Sequence, residues 1–436
     1  MIKKSFFIFI LIQILFTNIW GADPTVYVIN GLGCTLSKIN LKTDEITRNF
    51  ATTGFIPNQV KVRDSLVYVV NSGSADIHIY NINTDTKIDS INIGGGLARN
   101  PWAMDFSDCG KYAYLTCFSA DSLFKIDLRT KTKIDSFYIG ENPAGIFILE
   151  NLNKGYVCNT SFISYPGIYG QGTVAVFDTQ GDSVLKVINV GTNPQYLDLD
   201  SQGELYVVCT GDYQSQWGKI YIIDPINDVV KKVVEVGRNS ESKSSNLWTK
   251  RGAQIDSFEI GGSPGIISVS PDGVGYIAAG GWGTDGQVYT FDVKGDSVFH
   301  GSSNPLELPG DTGVVSVISF QDSTVYTSNF QTDNVTKIDS SGEILKSYYV
   351  GDGPQNLAIN YLNGDVNGNW NLGLDDVILL ANFYFGKPVK LPQPVWRADP
   401  DCDCQISIGD AIYLANYILK PGVPPPKHGC FYGYFY

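Results

Sequence analysis

The chain has 436 residues and a formal charge of −13, from 31 basic and 44 acidic side chains. Phosphate recognition draws on clustered Lys and Arg, so this balance argues against nucleic acid and fits cations or basic partners. Hydrophobic residues at 43%, charged residues at only 17% and 46 glycines exclude a disordered chain and describe a folded, turn-rich protein of two or three domains.

At the N-terminus, Lys3 and Lys4 precede an apolar run from Ser5 to Phe16 and the small residues Gly21 and Ala22. This is the three-part layout of a secretory signal, read here as residues 1–21 with cleavage at Gly21 or Ala22. A membrane span needs about 20 apolar residues, which neither this run nor any later one supplies. The sequence therefore predicts a secreted, extracellular or cell-surface protein without membrane insertion. Export permits disulfides, but Cys117, Cys158 and Cys209 sit inside β-like runs, where cysteine behaves as a small buried hydrophobe.

From Tyr27 onward the chain repeats. Similar segments open at Tyr27 (YVIN), Tyr68 (YVVN), Tyr114 (YLTC), Tyr156 (YVCN), Tyr206 (YVVC), Tyr276 (YIAA) and Tyr326 (YTSN). Each is followed by a short strand ending in Asp or Asn: Asn40, Asn81, Asp127, Asp178, Asp224, Asp292 and Asp339. Most copies then have a third strand ending in Gly, and a fourth apolar run such as NQVKV, WAMDF or QNLAI. Four short strands per copy, punctuated by Gly, Asp and Asn, predict a small antiparallel sheet. Such a sheet cannot cover both its faces alone, whereas seven stacked radially can. The tyrosine spacings of 41, 46, 42, 50, 70 and 50 match a propeller repeat apart from one insertion. Because the chain starts on a tyrosine strand and Gln355 to Asn360 reads as an innermost strand, the two ends should complete one mixed blade.

These segments resemble the YVTN family of β-propellers over about residues 24 to 361. The expected fold is an all-β seven-bladed β-propeller over 22–361, followed by a small α-helical, EF-hand-like module over 362–436.

Long connections fall in copies four to six, at Asn159 to Gly172, Gly211 to Gly218 and Gly280 to Gly286, with an insert from Gly237 to Ala253. Tyr165, Tyr169, Tyr213, Trp217, Trp248 and Trp282 in and around them could form a stacking surface for sugar rings on one propeller face. The alternative is that these aromatics only anchor long loops. Three histidines, His78, His300 and His428, make a His-based triad or a His-rich metal site an improbable reading. Paired carboxylates for glycoside cleavage remain open, since the separation of acidic residues cannot be read from sequence.

After Tyr361 the pattern changes to two copies of an acidic loop running into an apolar helix, at Gly364 to Pro388 and Ala398 to Gly422. Taken as twelve-residue calcium loops, ligand positions 1, 3, 5, 7, 9 and 12 fall in the first on Asp365, Asn367, Asn369, the Asn371 carbonyl, Gly373 through water, and Asp376. In the second they fall on Asp399, Asp401, Asp403, the Gln405 carbonyl, Ser407 and Asp410. Alternation suits a hard cation that takes six to eight oxygens, so two Ca2+ sites are expected. The sharp-turn position 6, usually Gly, is Trp370 in one loop and Cys404 in the other. A left-handed backbone there costs a non-Gly residue about 1 to 2 kcal/mol.

The duplicated loop and helix resembles the type I dockerin module, which implies docking on a cohesin partner, often in polysaccharide-degrading complexes. By that resemblance Leu374 and Asp375 in the first copy, and Ile408 and Gly409 in the second, would carry recognition. Some dockerin-like sequences ending in a Pro-rich stretch and Cys look similar, which suggests a Cys402 to Cys430 bridge. The reading that follows is a secreted binding or scaffold protein, held through a cohesin-like partner on an extracellular complex and able to bind polysaccharide. The competing class is a polysaccharide hydrolase or lyase using carboxylates on the propeller face.

Overall fold

Each tyrosine-led segment forms the second strand of an antiparallel sheet, counted outward from a common axis. The computed structural model describes residues 23–107, 110–235, 265–294, 297–320, 324–389, 395–403, 405–424 and 426. Blade 2 shows the unit plainly, with Pro57–Arg63, Leu66–Asn71, Asp76–Asn81 and Thr86–Asn92 paired in chain order. The inner strands of neighbouring blades touch around the whole ring, and the fold is a seven-bladed β-propeller.

Blade 1 is the mixed one. Its inner strand, Pro354–Asn360, comes from the far end of the repeat and pairs antiparallel with Thr25–Asn30, placing Tyr27 opposite Ala358. Blade 6 departs from four simple strands. Its outer edge is split into Ser297–His300 and Leu306–Leu308, both paired along Gly286–Asp292. The long connection in blade 4 folds into a hairpin of Phe162–Ile163 and Ile168–Tyr169.

The repeated letters have a structural cause. All seven motif tyrosines are buried between blades, where a hydroxyl needs a partner. Tyr114 donates to the Thr179 carbonyl at 2.8 Å and Tyr156 to Asp228 Oδ1 at 2.7 Å, each in the outer turn of the next blade. The Asp or Asn closing each third strand starts that outer turn: Asp127 Oδ1 accepts the N–H groups of Arg129 and Thr130, and Asn40 Oδ1 those of Lys42 and Thr43. Such side-chain-capped turns are what Asp and Asn supply most readily. The following left-handed residues, Asp44, Asp85, Asp182 and Asp228, then point carboxylates back at the preceding blade. Lys38 Nζ meets Asp85 at 2.6 Å, Lys125 Nζ meets Asp182 at 2.8 Å and Lys154 Nζ meets Asp228 at 2.7 Å.

A second girdle runs around the axis. Asn356 Oδ1 accepts from Val60 N, Gln59 Oε1 from Met104 N, Asp105 Oδ2 from Ile148 N, Asp198 Oδ2 from Val269 N and Ser268 Oγ from Ser319 N. Each bond joins an inner strand to the next one. Between blades 4 and 5 the backbones themselves approach, and a Cβ on Gly145 would lie 2.2 Å from the Gln195 carbonyl oxygen. Cys117, Cys158 and Cys209 are buried thiols, as expected.

Beyond the propeller, two helices, Leu374–Tyr384 and Ile408–Leu419, pack together over a core that includes Leu362, Val366, Leu380, Ala411 and Leu414. Trp370 joins this unit to the propeller, its ring edge-on to Phe320 at 5.5 Å and stacked with Tyr361 at 6.4 Å. Among the described residues no helix is long and apolar enough to cross a membrane.

Candidate functional site

The loop before the first helix is wound around two buried carboxylates. Asp365 Oδ1 accepts from Gly368 N and Asn369 N, while its Oδ2 accepts from Trp370 N at 3.0 Å and Arg397 Nη2 at 2.7 Å. Asp376 Oδ1 accepts from Val366 N and Asn367 N, and its Oδ2 from Gly373 N, which also caps the helix. Asn367 Oδ1 takes the Asn369 N–H and Asn369 Oδ1 takes the Asn371 N–H. Asp375 accepts from both the Asn367 and the Asn369 amides, so this expected recognition residue is turned onto its own loop. Trp370 is left-handed, with φ 63°. Burial pushes the Asp376 carboxyl up to about 6 against its backbone donors.

The second loop is built differently. Carboxylate oxygens of Asp399, Asp401 and Asp403 all lie within 4.8 Å of one another. Asp410 is fully buried at the start of the second helix, where its Oδ2 accepts from Ser407 N at 2.7 Å and its Oδ1 has no hydrogen-bond partner. Burial, joined by the charges of Asp401, Asp399 and Asp403, raises its carboxyl well above the usual carboxylate range against its Ser407 backbone donor. Ser407 Oγ accepts from Gly409 N as the helix cap, and Gln405 N donates to Asp403 Oδ1. Clustered carboxylates with an orphaned buried oxygen are the donor set that a hard cation satisfies. Cys404 and Cys430 lie outside the described residues, and with Cys430 the suggested bridge to Cys402.

Of the recognition positions, Leu374 is exposed and Ile408 is partly buried against the helical core. Ile378 continues the exposed stripe of the first helix one turn on, and Ile412 and Leu419 form one on the second.

On the propeller, turns between second and third strands share a face with the connections between blades. Tyr165, at 92% exposure, Tyr213 and Trp282 stand out from it. Tyr169 lies 6.4 Å from Tyr213 across blades 4 and 5, and Gln195 Nε2 donates to the Tyr213 hydroxyl at 3.3 Å. Trp282 packs instead edge-on to Phe330 of blade 7, Trp217 is partly buried at the start of its strand, and Trp248 lies outside the described residues. The sequence reading missed four further members of this face. Leu32, Phe55, Ile56 and Leu97 are exposed on blades 1 to 3, where only short Gly-flanked turns could have flagged them. Among the described residues the opposite turns expose one large apolar side chain, Ile226.

The acidic groups nearest the axis are engaged. Lys61 Nζ donates to Asp105 Oδ1 at 3.1 Å, and Asp198 accepts from Val269 N and Leu199 N while burial pushes its carboxyl up to about 6. His78 lies in a chain inside blade 2, with Nε2 3.0 Å from Asp76 and Nδ1 3.1 Å from the Tyr80 hydroxyl. His300 Nδ1 is 2.8 Å from Thr290 Oγ1, and His428 lies outside the described residues.

No protein-family model matches the chain, and no curated protein matches it. Among solved structures the chain is similar to Kuenenia stuttgartiensis hydrazine synthase, with TM-score 0.55 and 17% identity over 73% of this chain and 92% of that one. It is also similar to a functionally unknown protein from Desulfotomaculum acetoxidans, with TM-score 0.53 and 15% identity over 78% of this chain and 99% of that one. At such identities the likeness shows the fold alone.

Proposed function

We propose that this chain is an exported binding protein in which a YVTN-type propeller presents its loop-bearing face to polysaccharide, while a dockerin-like unit, ordered by Ca2+, attaches it to a cohesin-like partner. The observation that carries the reading is the second acidic loop. Asp399, Asp401 and Asp403 converge, and Asp410 adds a buried oxygen with no partner. Calcium would supply the charge that holds these four groups together, and ordering the loop would fix the helix that Asp410 begins. The exposed stripes of Leu374 with Ile378, and of Ile412 with Leu419, suit a partner that buries helix faces. Tyr165, Tyr169 and Tyr213 suit sugar rings, since an aromatic face offers apolar area beside polar edges.

Two measurements test the reading. Native gels containing soluble xylan or mixed-linkage glucan should retard the chain, and Tyr165→Ala with Tyr213→Ala should abolish retardation without changing the thermal melt. Capture on immobilised cohesin should require calcium and be lost with chelator. Release of reducing or unsaturated sugars from the same polysaccharides would replace the binding reading by the hydrolase or lyase one.

A further inference from the structure

We infer that the two acidic loops are not equivalent: the first is closed by an internal cation, the Arg397 guanidinium, and anchors the helical unit on the propeller without metal, so only the second takes calcium. The inference rests on the cation reading of the second loop given above.

The leading carboxylate of the first loop, Asp365, has no acceptor site left for a metal. Four donors, the N–H groups of Gly368, Asn369 and Trp370 and the Arg397 Nη2, already occupy the two Asp365 oxygens. A carboxylate has about four lone-pair sites, so its capacity is used. Asp376 accepts three backbone N–H groups. The middle ligand positions are the neutral Asn367 and Asn369. With Arg397 and the loop-facing Asp375 included, the formal charge is −1 − 1 − 1 + 1 = −2 over Asp365, Asp375, Asp376 and Arg397, against −4 over Asp399, Asp401, Asp403 and Asp410.

Arg397 cannot step aside cheaply. It is 1% exposed beside a fully buried Asp365, whose carboxylate supports the charged guanidinium against the cost of burial. Its guanidinium carbon also lies 5.4 Å from the Tyr361 ring centre and 5.6 Å from that of Trp370. A guanidinium over aromatic faces is held by the ring quadrupoles as well as by its ion pair. A divalent ion entering this loop would face a buried like charge at short range. The same arrangement accounts for tryptophan at the glycine position, because Trp370 is the side chain that covers Arg397 and reaches Phe320 on the propeller.

Calorimetric titration of the chelator-stripped full chain with calcium chloride tests this directly. One ion per chain is expected, abolished by Asp410→Asn and kept within about threefold in affinity by Asp365→Asn and Asp376→Asn. Two ions per chain would overturn the inference, as would one ion that Asp365→Asn removes and Asp410→Asn leaves. Arg397→Gln should add a second binding event, and its failure to do so in a folded variant would also count against the inference. If Arg397→Gln does not fold, the Asp365→Asn titration still decides. No heat at millimolar calcium would overturn the cation reading itself, an outcome distinct from two ions.

Discussion

Tyr156 donates its hydroxyl proton to Asp228 Oδ1 at 2.7 Å, from the second strand of blade 4 to the outer turn of blade 5. Tyr114 and Tyr206 likewise reach carbonyls in the outer turn of the next blade, and Asp228 adopts a left-handed backbone, φ 54°, that aims its carboxylate backward. Tyr156→Phe is expected to cost about 1.5 to 3 kcal/mol, the range for hydrogen bonds to charged acceptors. Denaturant unfolding at neutral pH measures it. A change within about 0.5 kcal/mol, the level of an ordinary surface substitution, would show that the contact adds no net stability.

Gly145 is required by distance rather than by backbone conformation. Gly145→Ala would place a Cβ 2.2 Å from the Gln195 carbonyl oxygen, at the one interblade step described above where backbones meet without a bridging side chain. Overpacking of this kind costs about 1 to 3 kcal/mol, and the backbone nature of the obstacle puts the expectation at the upper end. An unchanged melt would mean that the inner strands can spread.

Closure of the ring predicts an asymmetry between two truncations. Ending the chain before Gln355 removes nearly the whole inner strand of blade 1 and its pairing with Thr25–Asn30, and should unfold the propeller. Ending it after Leu362 removes the helical unit but keeps that strand, and should lower the melt only by uncovering Phe320 and Tyr361. Equal melts for the two chains would refute the mixed blade.

Asp198 gives a pH dependence with a definite sign. Burial, the largest influence, lifts its carboxyl to about 6, with the N–H groups of Val269 and Leu199 and the charge of Lys61 opposing and Asp200 reinforcing. Unfolded Asp titrates near about 4, so the folded chain holds more protons between these values and loses stability as pH rises through about 4 to 6. Asp198→Asn removes that loss. The variant should gain on the native chain by at most about 3 kcal/mol at pH 7 and by nothing below pH 4, at about 1.4 kcal/mol per pH unit. Unfolding curves of both chains across this range provide the check, and a difference independent of pH would reject the assignment. Asp200, lifted in the same direction, titrates in both chains and in the variant loses only the Asp198 charge.

Trp370→Gly separates strain from packing. Glycine relieves a left-handed cost of about 1 to 2 kcal/mol, but loses the ring contacts of a partly buried Trp370 with Phe320, Tyr361 and Arg397, for which about 3 to 5 kcal/mol, the cost at a fully buried Trp, is an upper bound. Net destabilisation is expected in a melt with chelator present. A more stable variant would show that strain outweighs the junction.

The propeller was legible in the sequence because its determinants are local and repeated. A tyrosine that must bury its ring and an Asp or Asn that starts a turn occur in register seven times, a Gly ends the outer strand in most copies, and even the joining of Pro354–Asn360 to Thr25–Asn30 followed from strand order. The split outer strand of blade 6 was not legible, since Ser297–His300 and Leu306–Leu308 become one edge only when both find Gly286–Asp292.

Sequence alone also placed two acidic loops before two helices, because alternating oxygen side chains and the apolar stripes behind them are written in consecutive residues. Only the tertiary structure decided what those loops contain. Arg397 lies 32 residues beyond Asp365 and meets it because the two halves of the helical unit pack together, which no spacing rule reports. The same holds for the exposed face of the propeller, where Tyr169 and Tyr213 come together while Trp282 turns to Phe330. Composition marks an aromatic as available, but its neighbours across a blade boundary are fixed by how the sheets twist and stack about the axis.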